Sequence, residues 1–127
     1  AGTGKTFISL YLALKDVMAK NKYKEVIIVR SSVQSREQGF LPGGAQEKMA
    51  QFETPYSDIV NDLFERKDAY QIMKQKEMLR FMSTSFIRGL TFDNAIILVD
   101  EVQNMNIGEL RTIMTRVGEN SKIIFCG

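Results

Sequence analysis

The sequence contains no histidine. That absence excludes a Ser–His catalytic pair, an HExxH zinc site and a histidine pH switch within these residues. There is one cysteine, Cys126. No disulfide can therefore form inside the chain, and no Cys-rich zinc site exists. A lone thiol at the end of an apolar run reads as an inert core group, and the low cysteine use fits a reducing cytoplasm. No apolar run approaches the roughly 18 residues of a membrane helix, so no membrane partner is expected. The net charge is only +2, so the overall charge does not by itself announce a nucleic-acid binder. No repeat, low-complexity stretch or linker interrupts the 127 residues, which suffice for one domain over 1–127 and not for two.

What is present is an alternation of helical and strand patterns. Phe7, Leu10, Tyr11, Leu14, Val17 and Met18 recur at helical spacing and predict a helix over 4–21 with one apolar face. Val26-Ile27-Ile28-Val29 is a continuous β-branched run, as in a parallel strand buried on both faces. A polar, Gly-rich stretch follows over 31–53, with a turn at Leu41-Pro42-Gly43-Gly44 and room for a short helix near 46–51. Thr54 reads as an N-cap with Pro55 at the first helical position, and Tyr56, Ile59, Val60, Leu63 and Phe64 form the buried stripe of a helix ending near Arg66. Asp68 with Gln71 suggests a capping box for a helix over 69–77, and 78–82 reads as a short strand. Ala95-Ile96-Ile97-Leu98-Val99 is the second strong strand, and 122–126 the third. Between them Asn106 and Glu109 read as a helix cap, with Ile107, Leu110, Ile113, Met114 and Val117 on one face. Met73, Met78 and Met82, like Met114, read as core filling. This order predicts an α/β fold built on an open parallel sheet.

The chain opens on Ala1-Gly2-Thr3-Gly4-Lys5-Thr6. Glycines let a loop backbone approach phosphate and turn its N–H groups inward. The helix that follows aims its free N–H groups and partial positive charge at the same point. Lys5 is then placed for the β- and γ-phosphates and Thr6 for Mg²⁺. Gly2, Thr3, Gly4, Lys5, Thr6 and the adjoining Phe7 are the candidate nucleotide-binding residues. A phosphate loop reads G-x-x-x-x-G-K-[ST], and counted back from Gly4 its first glycine falls before Ala1. The chain is therefore expected to be a partial domain, truncated at both ends.

Asp100-Glu101 ends the second strong strand. Ligands of open α/β sheets lie at the carboxyl ends of strands. An aspartate there suits Mg²⁺, directly or through water, and the glutamate beside it suits orientation or deprotonation of an attacking water. Such a glutamate favours hydrolysis over phosphotransfer to another substrate.

Several short motifs occur in order: the opening loop, Gly39-Phe40-Leu41-Pro42-Gly43, Arg88-Gly89-Leu90-Thr91-Phe92, Asp100-Glu101-Val102-Gln103-Asn104, Thr115-Arg116-Val117-Gly118 and Ser121-Lys122 with the strand to Gly127. This series resembles the PhoH-like ATPases of bacteria and their phages, over nearly the whole chain. The resemblance implies a three-layer RecA-like P-loop core with a mostly parallel sheet, related to the first motor domain of superfamily 1 helicases. It implies ATP with Mg²⁺ as ligands, and RNA or single-stranded DNA as a partner to be tested. By the same match Asp100 and Thr6 would serve the metal, Glu101 the water, and Gln103 would sense the γ-phosphate or simply face solvent.

Arg88 and Arg116 are candidates to stabilise charge on the transferred phosphoryl group; Arg88 reads equally as a contact to a nucleic-acid strand, and a cation in the last turn of a helix has a simpler role for Arg116. Arg30, Arg36 and Lys48 border the polar segment and read as a solvated loop or a contact to nucleic-acid phosphates. Phe86, in Ser83-Thr84-Ser85-Phe86, reads as a core ring or as a base-stacking one. Two functions remain open on these residues: an ATPase, and a nucleotide-gated oligomeric scaffold with little hydrolysis.

Overall fold

The computed structural model describes residues 3–19, 22–31 and 45–127. Its elements run α1 (Thr3–Met18), β1 (Glu25–Arg30), α2 (Ala45–Leu63), α3 (Ala69–Gln75), β2 (Leu79–Ser83), β3 (Ala95–Val99), α4 (Ile107–Arg116) and β4 (Lys122–Phe125), with 3₁₀ turns at Thr84–Phe86 and Val102–Asn104. The four strands form one parallel sheet in the order β2-β1-β3-β4. β1 and β3 sit in the middle, which is why their apolar runs are continuous: Val26 to Val29 and Ala95 to Val99 are all buried. β4 lies on the edge and is only half covered, with Phe125 46% exposed. Among the described residues, no helix is long and apolar enough to cross a membrane.

Strand alternation divides the core into two halves. Val26, Ile28, Ile96 and Leu98 face one side, where they pack with Leu10, Leu14 and Val17 of α1, Tyr56 and Val60 of α2, and Tyr70 and Met73 of α3. Ile27, Val29, Ile97 and Val99 face the other, where they meet Ile113 of α4, Ile87 and Phe92. The result is a three-layer α/β fold of the RecA-like P-loop kind.

Several local expectations are corrected by packing. α1 stops at Met18 and buries a narrower stripe than its pattern suggested: Leu10, Ala13, Leu14 and Val17 are covered, whereas Phe7, Tyr11 and Met18 are 40 to 48% exposed. α2 runs unbroken through Pro55, so Thr54 is not an N-cap and 46–51 is not a separate helix. The turn before the proline is fixed from outside. Glu53 accepts from the Tyr70 hydroxyl at 2.5 Å and from Lys74 at 2.6 Å, and the Arg30 guanidinium lies 4.8 Å from the Phe52 ring centre. Those contacts offset the backbone hydrogen bond that proline cannot donate. Asp68 stands at the N-cap of α3 but makes no capping bond, because its carboxylate is taken by Arg66 at 2.9 Å. The Asn106–Glu109 capping box of α4 is formed in both directions. On α4 only Ile113 is buried; Ile107 and Met114 are 68% and 54% exposed, so Met114 does not fill the core. Phe86 is exposed as well, and Cys126 is buried as expected. The Gly39–Gly43 motif, numbered 39–43, and Arg36 lie outside the described residues, as does the side chain of Lys48.

Two buried phenols carry a consequence for stability. Tyr56 donates to Asp100 at 2.5 Å and Tyr70 to Glu53 at 2.5 Å. Burial, and then the neighbouring carboxylate, hold both well above their ordinary value of 10.0. The unfolded chain releases these protons near pH 10, while the folded chain keeps them. This contribution is therefore complete below about pH 10 and declines as pH rises beyond it. In an alkaline titration, phenolate absorbance from Tyr56 and Tyr70 should appear only as the helical circular dichroism is lost. Full ionisation with the fold intact would show that neither ring is held as described. Leu98→Ala, at a fully buried position of β3, should lower the unfolding free energy by about 2–5 kcal/mol in urea denaturation.

Candidate functional site

Because all four strands are parallel, their carboxyl ends share one edge of the sheet. Backbone bonds extend the order of that edge past the strands. The Asp100 N–H donates to Val29 O at 3.0 Å, Cys126 N–H to Val99 O at 2.8 Å, and Val102 N–H to Cys126 O at 2.9 Å. Asp100 is thus fixed in the sheet ladder one residue beyond β3.

Strand parity then decides where each polar side chain points. Asp100 continues the side of Ile96 and Leu98, toward α1 and α2. There the Thr6 hydroxyl donates to Asp100 Oδ1 at 3.1 Å, and the Tyr56 hydroxyl to Oδ2 at 2.5 Å. Thr6 and Asp100 are each 5% exposed and Tyr56 2%. Ser31 continues the opposite side of β1, toward α4, and donates to Glu109 Oε2 at 2.7 Å; Thr84, just past β2, reaches the same oxygen at 2.5 Å. Glu109 Oε1 accepts the Asn106 N–H. One carboxylate thus ties the ends of β1 and β2 to the start of α4.

The sequence-derived candidates fall into three groups. Thr6 and Asp100 are brought together across 94 positions of sequence. Both are hard oxygen donors, and among the described residues no cluster of three or more His, Cys, Asp or Glu is assembled. That donor set fits Mg²⁺, which takes one or two protein oxygens and completes its shell with phosphate and water. Gly4, Lys5 and Phe7 lie with Thr6 in the first turns of α1; Lys5 is exposed and makes no ion pair among the described residues. Gly2 lies outside the described residues and Thr3 is described by its backbone alone.

Glu101 and Gln103 form the second group. Glu101 adopts a left-handed backbone, φ 54°, uncommon for a residue with a side chain. It thereby ends the strand and opens the 3₁₀ turn at Val102–Asn104. Gln103 Nε2 donates to Glu101 Oε2 at 2.6 Å, so the two candidates interact directly. Glu65, Glu77, Asn94 and Asn120 share this left-handed backbone, so at Glu101 it marks a chain turn.

Arg88 stands apart. It lines a cleft of ≈ 400 Å³ with Thr84, Ser85, Asn106, Gly108, Glu109 and Thr112, and takes no part in the hydrogen bonds of Thr6, Asp100 or Glu101. Arg116 closes the last turn of α4; its backbone carbonyl accepts the Phe92 N–H, and its Nε is buried without a partner among the described residues.

Sequence reasoning missed two residues here. Tyr56 was legible only as one member of an apolar stripe. Its hydroxyl was the available signal, since a buried phenol needs a partner, but the identity of that partner depends on how α2 crosses β3. Glu109 was legible as a cap; its second role toward Ser31 and Thr84 depends on the β2-β1 pairing.

Comparison with known proteins agrees with this fold. The family model described as PhoH-like protein matches residues 1–127. A "PhoH-like protein" of Synechocystis sp. is 34% identical over the whole of this chain, which covers 38% of that protein's length. "Protein PhoH2" of Bacillus subtilis is 33% identical, with 30% of its length covered, and "Protein PhoH" of Escherichia coli K12 is 33% identical, with 36% covered. The chain thus spans less than two-fifths of the length of each of these relatives. A family match over the whole chain, on a parallel α/β sheet, places this chain in the PhoH-like family of P-loop proteins.

Proposed function

We propose that this chain is the ATP-binding core of a Mg²⁺-dependent ATPase whose turnover responds to RNA or single-stranded DNA. The observation that carries the reading is the 3.1 Å contact between Thr6 Oγ1 and Asp100 Oδ1. A P-loop site needs a hydroxyl at the start of the helix and a carboxylate at a strand end, close enough to share one small cation. When bound, Mg²⁺ would neutralise charge on the phosphate oxygens. The residues of the chain supply the rest. Gly2 to Thr6 cradle the phosphates, with Phe7 beside them. Lys5 meets the β- and γ-phosphates as a point charge. Glu101 aligns a water and accepts its proton, and Gln103, already hydrogen-bonded to Glu101, links that carboxylate to the γ-phosphate.

Arg88 belongs to the nucleic-acid side of this proposal. It is exposed, it lines a cleft with the hydroxyls of Thr84, Ser85 and Thr112, and the 58% exposed Phe86 lies in the adjoining 3₁₀ turn. A cation and an exposed ring are the groups that hold a single strand by phosphate and base. The relation to helicase motor domains and a cytoplasmic location are part of the same reading.

A second reading, a nucleotide-gated homo-oligomeric scaffold with little hydrolysis, draws on the exposed Phe7, Ile8, Tyr11 and Leu12 of α1. Turnover separates the two. Poly-RNA or single-stranded DNA should raise ATP hydrolysis in a salt-sensitive way; a nucleotide-dependent change in assembly with no turnover favours the scaffold. Lys5→Ala should abolish ATP binding in equilibrium titrations. Glu101→Gln should bind ATP as the parent does and lose about 10²-fold or more in hydrolysis. Undiminished hydrolysis by Glu101→Gln would remove that residue from the chemistry.

A further inference from the structure

Asp100 is a buried carboxylate with no cationic partner among the described residues. Its two oxygens are held by two hydroxyls on opposite sides. Thr6 takes Oδ1 at 3.1 Å, and Tyr56 takes Oδ2 at 2.5 Å, the shorter of the two. The Tyr56 ring has little freedom to move: it is 2% exposed and packs against Phe81 of β2 with ring centres 5.5 Å apart. The helix that carries it is pinned one turn earlier by the Glu53 contacts to Tyr70 and Lys74. The hydroxyl is therefore delivered to Asp100 by a rigid support.

The choice of donor matters. An arginine or lysine at this point would orient the carboxylate equally well but would cancel its charge. A neutral phenol fixes the rotation of the carboxylate and leaves the negative charge for an incoming cation. With Oδ2 occupied by Tyr56, Oδ1 is held on the side of Thr6. Partners that orient a ligating carboxylate typically contribute 10–100-fold to metal affinity.

We infer that Tyr56 is a positioning residue for the metal–nucleotide site: its hydroxyl holds Asp100 with Oδ1 turned toward Thr6, and so sets the affinity of the site for Mg²⁺ in the presence of ATP. This rests on the proposed role of Asp100 and adds a residue from α2 to a site otherwise built from α1 and the end of β3. Tyr56 itself touches neither metal nor phosphate in this scheme.

The test compares the parent protein with Tyr56→Phe and Asp100→Asn, using a fluorescent ATP analogue. Its binding is titrated in EDTA and then against Mg²⁺. Tyr56→Phe should bind the analogue in EDTA as the parent does, and should need about tenfold more Mg²⁺ for half-saturation of the metal-dependent signal. Asp100→Asn should lose most of the Mg²⁺ dependence. An unchanged Mg²⁺ midpoint in Tyr56→Phe overturns the inference, and so does an equal loss of binding with and without Mg²⁺, which marks a packing role. If Asp100→Asn also keeps its Mg²⁺ midpoint, the assignment of Asp100 fails; if only Tyr56→Phe does, Tyr56 alone is excluded. A second measurement does not depend on the phenylalanine variant folding. With 3-fluorotyrosine at position 56, the fluorine resonance should shift in step with Mg²⁺ saturation when ATP is present, and a resonance that stays still overturns the inference.

Discussion

A strand sends successive side chains to opposite faces, and in this protein that alternation continues past the end of β3. Ile96, Leu98 and Asp100 share one face, so the first polar residue after the strand inherits the direction of the core residues before it. The Asp100 N–H bond to Val29 keeps the backbone in register for that last step. The consequence is a carboxylate aimed between the start of α1 and the middle of α2, into a space that Thr6 and Tyr56 fill with hydroxyls. Had the aspartate stood one residue earlier or later, it would face α4 and could not meet Thr6. The left-handed backbone at Glu101 turns the chain at this point and gives the neighbouring carboxylate a separate position beside Gln103.

The same alternation organises the other half of the edge. Ser31 leaves β1 on the opposite side and meets Glu109, which also accepts from Thr84 and closes the capping box of α4. The two carboxylates therefore serve two faces of one sheet. Asp100 joins the sheet to α1 and α2, and Glu109 joins it to α4 and the cleft that holds Arg88. The sheet lies between the proposed nucleotide site and the proposed nucleic-acid face, and β1 contributes to both: Arg30 stacks on Phe52 toward α2, and Ser31 reaches Glu109 toward α4.

Much of this was legible in the residues. β1 and β3 announced themselves because central parallel strands are buried on both faces and need no alternation of polarity. The α4 cap was legible because a capping box is a local interaction between Asn106 and Glu109. The Thr6–Asp100 pairing was legible as chemistry, since both residues are read as serving one proposed metal ion. What failed was local grammar overridden by competing contacts, some tertiary and one local. Pro55 reads as a helix start, yet Glu53 and Phe52 hold the turn before it in the helix. Asp68 reads as a cap, yet Arg66 takes its carboxylate. Ile107 and Met114 read as core, yet α4 buries only Ile113, because it covers the sheet with a single narrow stripe. Tyr56 could not be tied to Asp100 from the sequence, because nothing local encodes the crossing of α2 over the end of β3.

In the proposed function, Thr6 and Asp100 form the cation end of a nucleotide site. That assignment is tested most directly by the crystal structure of the protein with Mn²⁺ and a non-hydrolysable ATP analogue, located by the anomalous signal of the manganese. One peak is expected beside Thr6 Oγ1 and the analogue's phosphates, with Asp100 bound directly or through one water. A peak elsewhere on the molecule, with the Thr6–Asp100 hydrogen bond unchanged, would contradict it.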